Sequence, residues 1–185
     1  KHILIFLLVI SSYFIINRLN YGRAVYDFGT NLDNLIPLVS WFIYFYIIYF
    51  ILILIPFFIL KDTKKVTLRY SIAVIIGAVF FIFLPTGIYR PLIENNNLTN
   101  ILMNLMHLLD KPYNLFPSLH ASLLTLAFIL ILKNNKNLAY KLSPLFLLSL
   151  ISTLFVKQHY IVDLLAGILL AFISIKVANK FEKVV

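Results

Sequence analysis

Six long apolar stretches constrain this chain more than any other feature. The sequence has 185 residues and is 62% hydrophobic but only 12% charged, whereas a soluble domain carries about 25% charged residues. A helix needs about 20 apolar residues to cross a bilayer. Six stretches approach that length, namely 2–17, 37–60, 67–84, 116–132, 142–157 and 159–178. We therefore predict an all-α integral membrane bundle of six transmembrane helices, with residues 1–185 as a single domain.

Two shorter segments need a separate interpretation. Lys1 and His2 precede the first stretch as they would in a signal peptide, but no small-residue cleavage site follows, so we expect a membrane helix there. Between the third and fourth stretches, residues 99–110 place leucine and isoleucine on one face. This segment is too short to span, and we predict a short interfacial helix in an outer loop.

The basic residues lie on alternate connections between the stretches. Lys1, the 61–69 and 133–141 loops and the C-terminal tail together carry the whole formal net charge of +9. Cytoplasmic loops are rich in lysine and arginine, so we expect both termini in the cytoplasm. The net charge is thus a topology signal, and we predict a membrane protein with no nucleic-acid partner.

Two polar motifs interrupt the apolar pattern on the predicted outer face. One is Pro117-Ser118-Leu119-His120, and the other runs from His159 to Asp163. Ionisable groups within apolar stretches are costly and usually mark function. His159 and Asp163 are four residues apart and share a helix face, so the carboxylate can orient the imidazole as a nucleophile or base. The alternative is a buried polar pair that joins two helices.

Three further residues on this face suit a phosphate group. Ser118 can cap a helix whose N-terminus attracts anions, although a capping serine beside an interfacial histidine is an equally simple reading. Arg90 can bind phosphate with a bidentate fork, or it is a solvated loop arginine. Lys157 lies among apolar residues and either meets an anion or reaches to the interface. Together with the histidines, these residues indicate phosphoryl chemistry on a lipid.

A metal site is the main chemical alternative. Zinc could be held by His120, His159 and Asp163, but metal ligation would leave Ser118, Arg90 and Lys157 without a role. The absence of cysteine excludes thiolate ligands and disulfides. The sequence therefore favours a site without metal or other cofactor. His2 and His107 lie at the membrane surface, where we assign them no function.

At these residues the sequence resembles the type 2 phosphatidic acid phosphatase superfamily. The family has three outer-face signatures, which are Lys-x6-Arg-Pro, Pro-Ser-x-His and Ser-Arg-x5-His-x3-Asp. The first signature is reduced here to Arg90-Pro91, because Phe83 replaces its lysine. The second signature is intact. The third lacks its arginine, because Thr153 stands at that position. The stretch Lys157-Gln158-His159-Tyr160 looks like the branch that contains inositol phosphorylceramide synthase and bacterial relatives.

The resemblance implies a mechanism and a location. His159 would attack phosphorus and form a phosphohistidine, oriented by Asp163, and His120 would protonate the departing alcohol and then activate water or an acceptor alcohol. The phosphate would be held by Arg90, Ser118, Lys157 and the backbone N–H groups around Leu119. The expected site faces the outside of a bacterial plasma membrane.

Three functions remain open from the sequence. The first is a membrane lipid phosphatase that hydrolyses a lipid phosphomonoester or diphosphate, such as phosphatidic acid or a prenyl diphosphate. The second is a lipid phosphotransferase that passes the phosphoryl or phospho-headgroup to an alcohol. The third is a non-enzymatic binding or transport protein, which would spread its ionisable residues through the bilayer depth, whereas here they cluster near one end.

Overall fold

The computed structural model describes residues 1–184, and the described residues form an all-helical bundle. Two isolated β-bridges, Tyr26–Thr86 and Gly87–Tyr113, tie loops together. The helices are α1 (His2–Leu19), α2 (Asn31–Asn34), α3 (Ile43–Leu52), α4 (Ile55–Ile59), α5 (Thr63–Phe83), α6 (Leu98–Leu109), α7 (Leu119–Asn134), α8 (Lys136–Phe155) and α9 (Ile161–Val184).

Five segments of the described chain are long and apolar enough to cross a membrane. They are His2–Leu19, Ser40–Ile59, Thr63–Phe83, Lys136–Phe155 and Ile161–Glu182. The fourth predicted span, 116–132, corresponds to α7, which is apolar but has only 16 residues. The predicted all-α membrane bundle is therefore confirmed, whereas the count of six spans is approximate.

The second predicted span is a broken helix instead of a continuous one. A 3₁₀ turn at Ser40–Phe42 leads into α3, and the chain leaves regular helix at Ile53 and Leu54 before α4 begins. Pro56 lies in the first turn of α4, where the missing N–H of proline costs no helical hydrogen bond. An apolar run of this length hides such a break, because composition alone cannot distinguish one helix from two.

The fifth span begins earlier than its apolar pattern predicted. Helix α8 begins at Lys136 instead of residue 142, and the side chain of Asn135 caps it by accepting a hydrogen bond from the N–H of Leu138 at 3.0 Å. Pro144 lies inside the helix. The first turn is polar, so the hydrophobic pattern did not include it.

The predicted surface helix is present as α6. Asn97 caps it by accepting a hydrogen bond from the N–H of Asn100 at 2.9 Å. Its inner side packs on α3 and on the 3₁₀ turn that precedes α3, with Met103 fully buried. The helix thus covers the end of the bundle at which the two polar motifs lie.

Helix α7 occupies the centre of the bundle. It packs against α3, α4, α5, α8 and α9, and most of its residues are buried. Its apolar residues therefore cover its whole circumference, as expected for a helix surrounded by others. The N-terminus of α7 meets the N-terminus of α9, because Ser118 donates its backbone N–H to the carbonyl oxygen of Asp163 at 3.0 Å. This contact brings the two polar motifs together.

Candidate active site

The two histidines of the motifs are in direct contact. His120 lies in the first turn of α7, and His159 lies just before α9. Nδ1 of His120 is 3.1 Å from Nε2 of His159, and both side chains are buried. A pair of imidazoles at this distance can present one basic nitrogen and one proton donor to the same ligand atom. The structure thus places together the two residues on which the sequence interpretation depends.

Asp163 lies on the other side of His159. Its Oδ2 is 3.6 Å from Nδ1 of His159 and accepts a hydrogen bond from the N–H of Tyr160 at 2.8 Å. The carboxylate is fully buried, and the hydrogen bond from Tyr160 fixes its position at the start of α9. A carboxylate beside Nδ1 favours the tautomer with a proton there. Nε2 of His159, which faces His120, is then left with its lone pair.

Ser118 and Leu119 form the N-terminus of α7 beneath the histidines. The hydroxyl oxygen of Ser118 accepts a hydrogen bond from the N–H of Ala121 at 3.1 Å, which is the expected helix cap. The hydroxyl proton of Ser118 remains available to a ligand. The first N–H groups of a helix point away from it and carry partial positive charge. This end of α7 therefore suits the oxygens of an anion.

Arg90 reaches the second motif from the loop that follows α5. Its guanidinium donates to the carbonyl oxygens of Asp110 at 2.6 Å and of Lys157 at 3.2 Å, and to the amide oxygen of Gln158. Burial lowers the pKa of Arg90, and the negative charge of Asp110 opposes this effect. These acceptors are neutral, so the positive charge of Arg90 is available to an anion bound beside the histidines.

Lys157 occupies a different environment from the one that the sequence suggested. Its backbone has a positive φ of 54°, and its ammonium donates to the carbonyl oxygens of Ile36 at 2.5 Å and Asp33 at 3.4 Å. The side chain therefore holds the 33–36 segment against the start of α9. A role for Lys157 in binding phosphate stays a prediction, and it requires the ammonium to leave these carbonyls.

Asp33 completes this link between the outer loop and α9. Its carboxylate accepts hydrogen bonds from the backbone N–H of Ile161 at 2.8 Å and from the hydroxyl of Thr30 at 2.6 Å. Burial alone would raise the pKa of Asp33, but the hydrogen bonds from Thr30 and Ile161 bring it below its usual value. Asp33 thus fixes the first turn of the helix that carries Asp163.

Neither position that departs from the phosphatase signatures contributes a cation. Phe83 ends α5 and is exposed. Thr153 is buried in α8, where its hydroxyl donates to the carbonyl oxygen of Leu150 at 2.8 Å. Its own carbonyl oxygen accepts the N–H groups of Gln158 at 2.8 Å and His159 at 3.2 Å. Thr153 therefore helps to hold the loop that presents His159.

Sequence reasoning missed three polar residues of this site. The hydroxyl of Tyr46 is 2.8 Å from Nε2 of His120. Gln158 is buried, and its amide nitrogen has no hydrogen-bond partner among the described residues. Asp110 follows α6 and accepts a hydrogen bond from the hydroxyl of Tyr13 at 2.7 Å. Burial raises the pKa of Asp110, and nearby Arg90 opposes that rise.

Tyr46 and Gln158 could not be found from their spacing in the sequence, because an aromatic run and a glutamine carry no periodic signal.

An apolar cavity of about 370 Å³ leads to His120. It lies between α1, α3 and α6, and its walls include Phe6, Ile10, Tyr49, Phe50 and Leu109. His120 and Asp110 also line it. A hydrocarbon chain fits such walls, while the polar residues lie where the chain would carry its headgroup.

His107 lies near the site but has a structural partner. A nitrogen of its ring, Nε2, lies 3.0 Å from the carbonyl oxygen of Val156, and donates to it. Burial and the charge of Arg90 lower the pKa of His107 to about 4. The neutral side chain thus ties α6 to the segment that precedes His159. Within residues 1–184, no group of three or more His, Asp or Glu side chains is placed to hold a metal ion.

Comparison with known proteins identifies the family. A search of curated proteins and a search of solved structures each gave no significant match. A family model described as the PAP2 superfamily matches residues 35–177, which is well over half of the chain and includes both motifs. Membership supports a phosphatase or phosphotransferase type of lipid enzyme in the membrane. The chain belongs to the PAP2 superfamily, the type 2 phosphatidic acid phosphatases and their relatives.

Proposed function

We propose that this protein is a membrane lipid phosphatase that works through a phosphohistidine on His159. The observation that carries this proposal is the arrangement around that ring. Its Nε2 lies 3.1 Å from Nδ1 of His120, and its Nδ1 faces the carboxylate of Asp163 at 3.6 Å. A buried nucleophile oriented by a carboxylate and adjacent to a proton donor is the set that covalent phosphoryl transfer requires.

The reaction has two steps. Nε2 of His159 attacks phosphorus, the bond from phosphorus to the lipid oxygen breaks, and protonated His120 gives its Nδ1 proton to that oxygen. Neutral His120 then takes a proton from water, whose oxygen attacks the phosphohistidine. The P–N bond breaks, inorganic phosphate leaves, and His159 is free again. Asp163 stabilises the positive charge on His159 while the ring carries the phosphoryl group.

Cationic and backbone groups stabilise the charge of the pentavalent transition state. Arg90 supplies a fixed positive charge, and the N-terminus of α7 at Ser118 and Leu119 supplies N–H donors. Lys157 would add a second charge after turning away from Ile36. The amide nitrogen of Gln158, which is buried without a partner, is a further donor close to His159.

The apolar cavity supports a lipid as the substrate. Its aromatic and aliphatic walls run from α1 to His120. An acyl or prenyl chain that enters sideways between the helices would bring its phosphate to the pair of histidines. The substrate class is therefore a lipid phosphomonoester or diphosphate, with a phosphatidic acid or a prenyl diphosphate as the compounds to test.

Substitution of the nucleophile tests the proposal. Purified protein and His159→Ala are assayed for phosphate release from short-chain phosphatidic acid and from a prenyl diphosphate. We expect wild-type release and a loss of at least roughly a thousandfold in the variant, since covalent catalysis is then impossible. His107→Ala is the matched control, because it removes a neighbouring histidine that has no role in the reaction. Full activity of His159→Ala would contradict the mechanism.

Transfer to an alcohol is the second candidate function. The observation that favours it is the carboxylate of Asp110, which lines the apolar cavity together with His120. A carboxylate repels phosphate oxygens but accepts a hydrogen bond from a hydroxyl group. Labelled lipid phosphate is therefore supplied together with inositol, glycerol or a lipid alcohol. A labelled phosphomonoester of the acceptor alcohol supports transfer, whereas inorganic phosphate alone supports hydrolysis.

We also propose that the site faces the outside of a bacterial plasma membrane and that both termini are cytoplasmic. The chain has no cysteine, so single cysteines can be introduced without background. Leu92 is fully exposed in the loop beside Arg90, and Tyr140 is exposed near the opposite end of the bundle. We expect a membrane-impermeant maleimide to label Leu92→Cys but not Tyr140→Cys in intact cells. The reverse pattern would overturn the orientation.

A further inference from the structure

We propose that Tyr46 is a positioning residue that occupies Nε2 of His120 and thereby makes Nδ1 the nitrogen that transfers protons. This inference rests on the proposed function, because it concerns the acid and base role of His120. Tyr46 lies on α3 and has no counterpart in the motifs that the sequence displays. It reaches the site only because α3 packs beside α7.

The contact between the two side chains is short and buried. The hydroxyl oxygen of Tyr46 is 2.8 Å from Nε2 of His120, and the ring centroids are 5.1 Å apart. The side chain of Tyr46 is 1% exposed and that of His120 is 8% exposed. A buried polar atom without a partner is costly, so each of these groups depends on the other. Nε2 of His120 is therefore not free to contact a substrate.

The other ring nitrogen faces the reacting atoms. Nδ1 of His120 is 3.1 Å from Nε2 of His159, so it lies on the edge of the ring that faces the proposed nucleophile. A tyrosine hydroxyl can accept a hydrogen bond as well as donate one. When His120 is doubly protonated, Nε2–H donates to Tyr46 and Nδ1–H points towards the leaving oxygen.

This arrangement keeps one proton in place through both steps. After His120 has given its Nδ1 proton to the alcohol, the neutral ring retains the proton on Nε2, where Tyr46 accepts it. The bare Nδ1 then takes a proton from water or from an acceptor alcohol. Without Tyr46, the ring loses the contact that distinguishes its two nitrogens. It can then turn so that carbon replaces Nδ1 beside the substrate.

A second buried tyrosine provides a matched control. Tyr70 lies on α5 and does not line the apolar cavity, and its hydroxyl donates to the carbonyl oxygen of Ile53 at 3.0 Å. It is buried to a similar degree. Tyr70→Phe therefore removes a buried hydroxyl and its hydrogen bond without removing the contact to Nε2 of His120.

Two substrates separate a proton-transfer defect from a general loss of structure. A short-chain phosphatidic acid releases an alkoxide, which must be protonated, whereas p-nitrophenyl phosphate releases a stable phenolate. For Tyr46→Phe we expect kcat on phosphatidic acid to fall by about tenfold or more, because an unmade buried hydrogen bond has an effect of that order. The burst of p-nitrophenol, which reports formation of the phosphohistidine, should stay within about twofold of wild type. Tyr70→Phe should leave both rates within about twofold.

The outcomes distinguish this inference from the proposed function. An inactive wild-type protein would refute the proposed function itself. An active wild type in which Tyr46→Phe and Tyr70→Phe behave alike, or in which Tyr46→Phe slows the burst as much as turnover, would overturn the role of Tyr46 alone. If Tyr46→Phe does not fold, 3-fluorotyrosine at position 46 or at position 70 replaces it, since fluorine changes the acidity of the hydroxyl and little else. We then expect a change in kcat only for position 46, and equal effects at both positions would refute the proposal.

Discussion

Gly167→Ala tests whether the close contact between α7 and α9 sets the distance between the two histidines. Gly167 lies in α9 directly against the backbone of Ser118, at the N-terminus of α7. A Cβ at position 167 would overlap the carbonyl oxygen of Ser118 and would lie 2.9 Å from Cβ of Ala121. Because these are backbone and short side-chain atoms, no rotamer change can make room.

The structure gives the size of the effect. Carbon atoms pack best at about 3.5–4.0 Å, so the two helices must separate by roughly 0.6–1 Å near the site. Overpacking of this kind costs about 1–3 kcal/mol of the free energy of unfolding, which corresponds to a decrease of roughly 2–12 °C in Tm for a chain of this size. A displacement near 1 Å between reacting groups costs about a hundredfold in rate. We therefore expect a fall in kcat of about ten- to a hundredfold.

The assay measures kcat on short-chain phosphatidic acid and Tm in the same detergent. Gly77→Ala is the matched control, because a Cβ at that position would lie 3.0 Å from the end of the Leu119 side chain, which can change its rotamer. Its kcat should stay within about threefold of wild type. If Gly167→Ala matches wild type in both kcat and Tm, then the helix contact does not determine the geometry of the site.

Three further predictions follow from the surroundings of the histidines. Arg90→Lys should raise KM by about tenfold or more, because an ammonium cannot make the three hydrogen bonds of the guanidinium. Initial rates measured over a range of substrate concentrations give this KM. Ile10→Trp should fill the apolar cavity and raise KM for a long-chain lipid phosphate, while KM for p-nitrophenyl phosphate stays unchanged. The pKa of His107 is about 4 in the folded protein, whereas that of a free histidine is about 6.5. Between pH 4 and pH 6.5, the unfolded state therefore binds more protons than the folded state. Stability should therefore decrease as the pH falls from 6.5 to 4, and thermal melts of His107→Gln should show less of this decrease. An unchanged KM for Arg90→Lys would contradict the first prediction. An equal rise in KM for both substrates of Ile10→Trp would contradict the second. A decrease in the stability of His107→Gln equal to that of wild type would contradict the third.

The central part of the site could be predicted because its residues follow helical spacing. His159 and Asp163 are four residues apart at a helix start, and Ser118 and His120 begin another helix, so each pair is local in sequence. Charge on alternate connections then predicted that both helix starts lie on one face. The contact of 3.1 Å between the histidines follows from these local rules together with the packing of α7 against α9.

The partners of those residues could not be predicted, since they come from distant parts of the chain. Tyr46 is one of several aromatic residues in α3, and nothing in their spacing selects it for His120. Lys157 was expected to meet an anion, but its ammonium binds backbone carbonyls of the 33–36 segment. A backbone carbonyl is present at every residue, so no side-chain pattern reveals such a partner.

The helix ends that differ from expectation have equally local causes. The break between α3 and α4 lies within a continuous apolar run, and Pro56 was compatible both with a kink and with a new first turn. Helix α8 begins with a polar turn after Asn135, which a search for apolar residues excludes. These errors move helix ends by a few residues, but they leave the positions of the two motifs unchanged.

Direct detection of phosphate on His159 is the measurement that tests the central claim. Protein is mixed with ³²P-labelled lipid phosphate, quenched in base, digested, and mapped by mass spectrometry. His120→Ala receives ³²P-labelled p-nitrophenyl phosphate, whose phenolate leaves without a proton donor, so that loss of the base should allow the intermediate to accumulate. We predict base-stable, acid-labile label on His159 in both proteins, with more in His120→Ala, and none in His159→Ala. Label on another residue, or turnover by an enzyme that never carries label, would contradict the proposed mechanism.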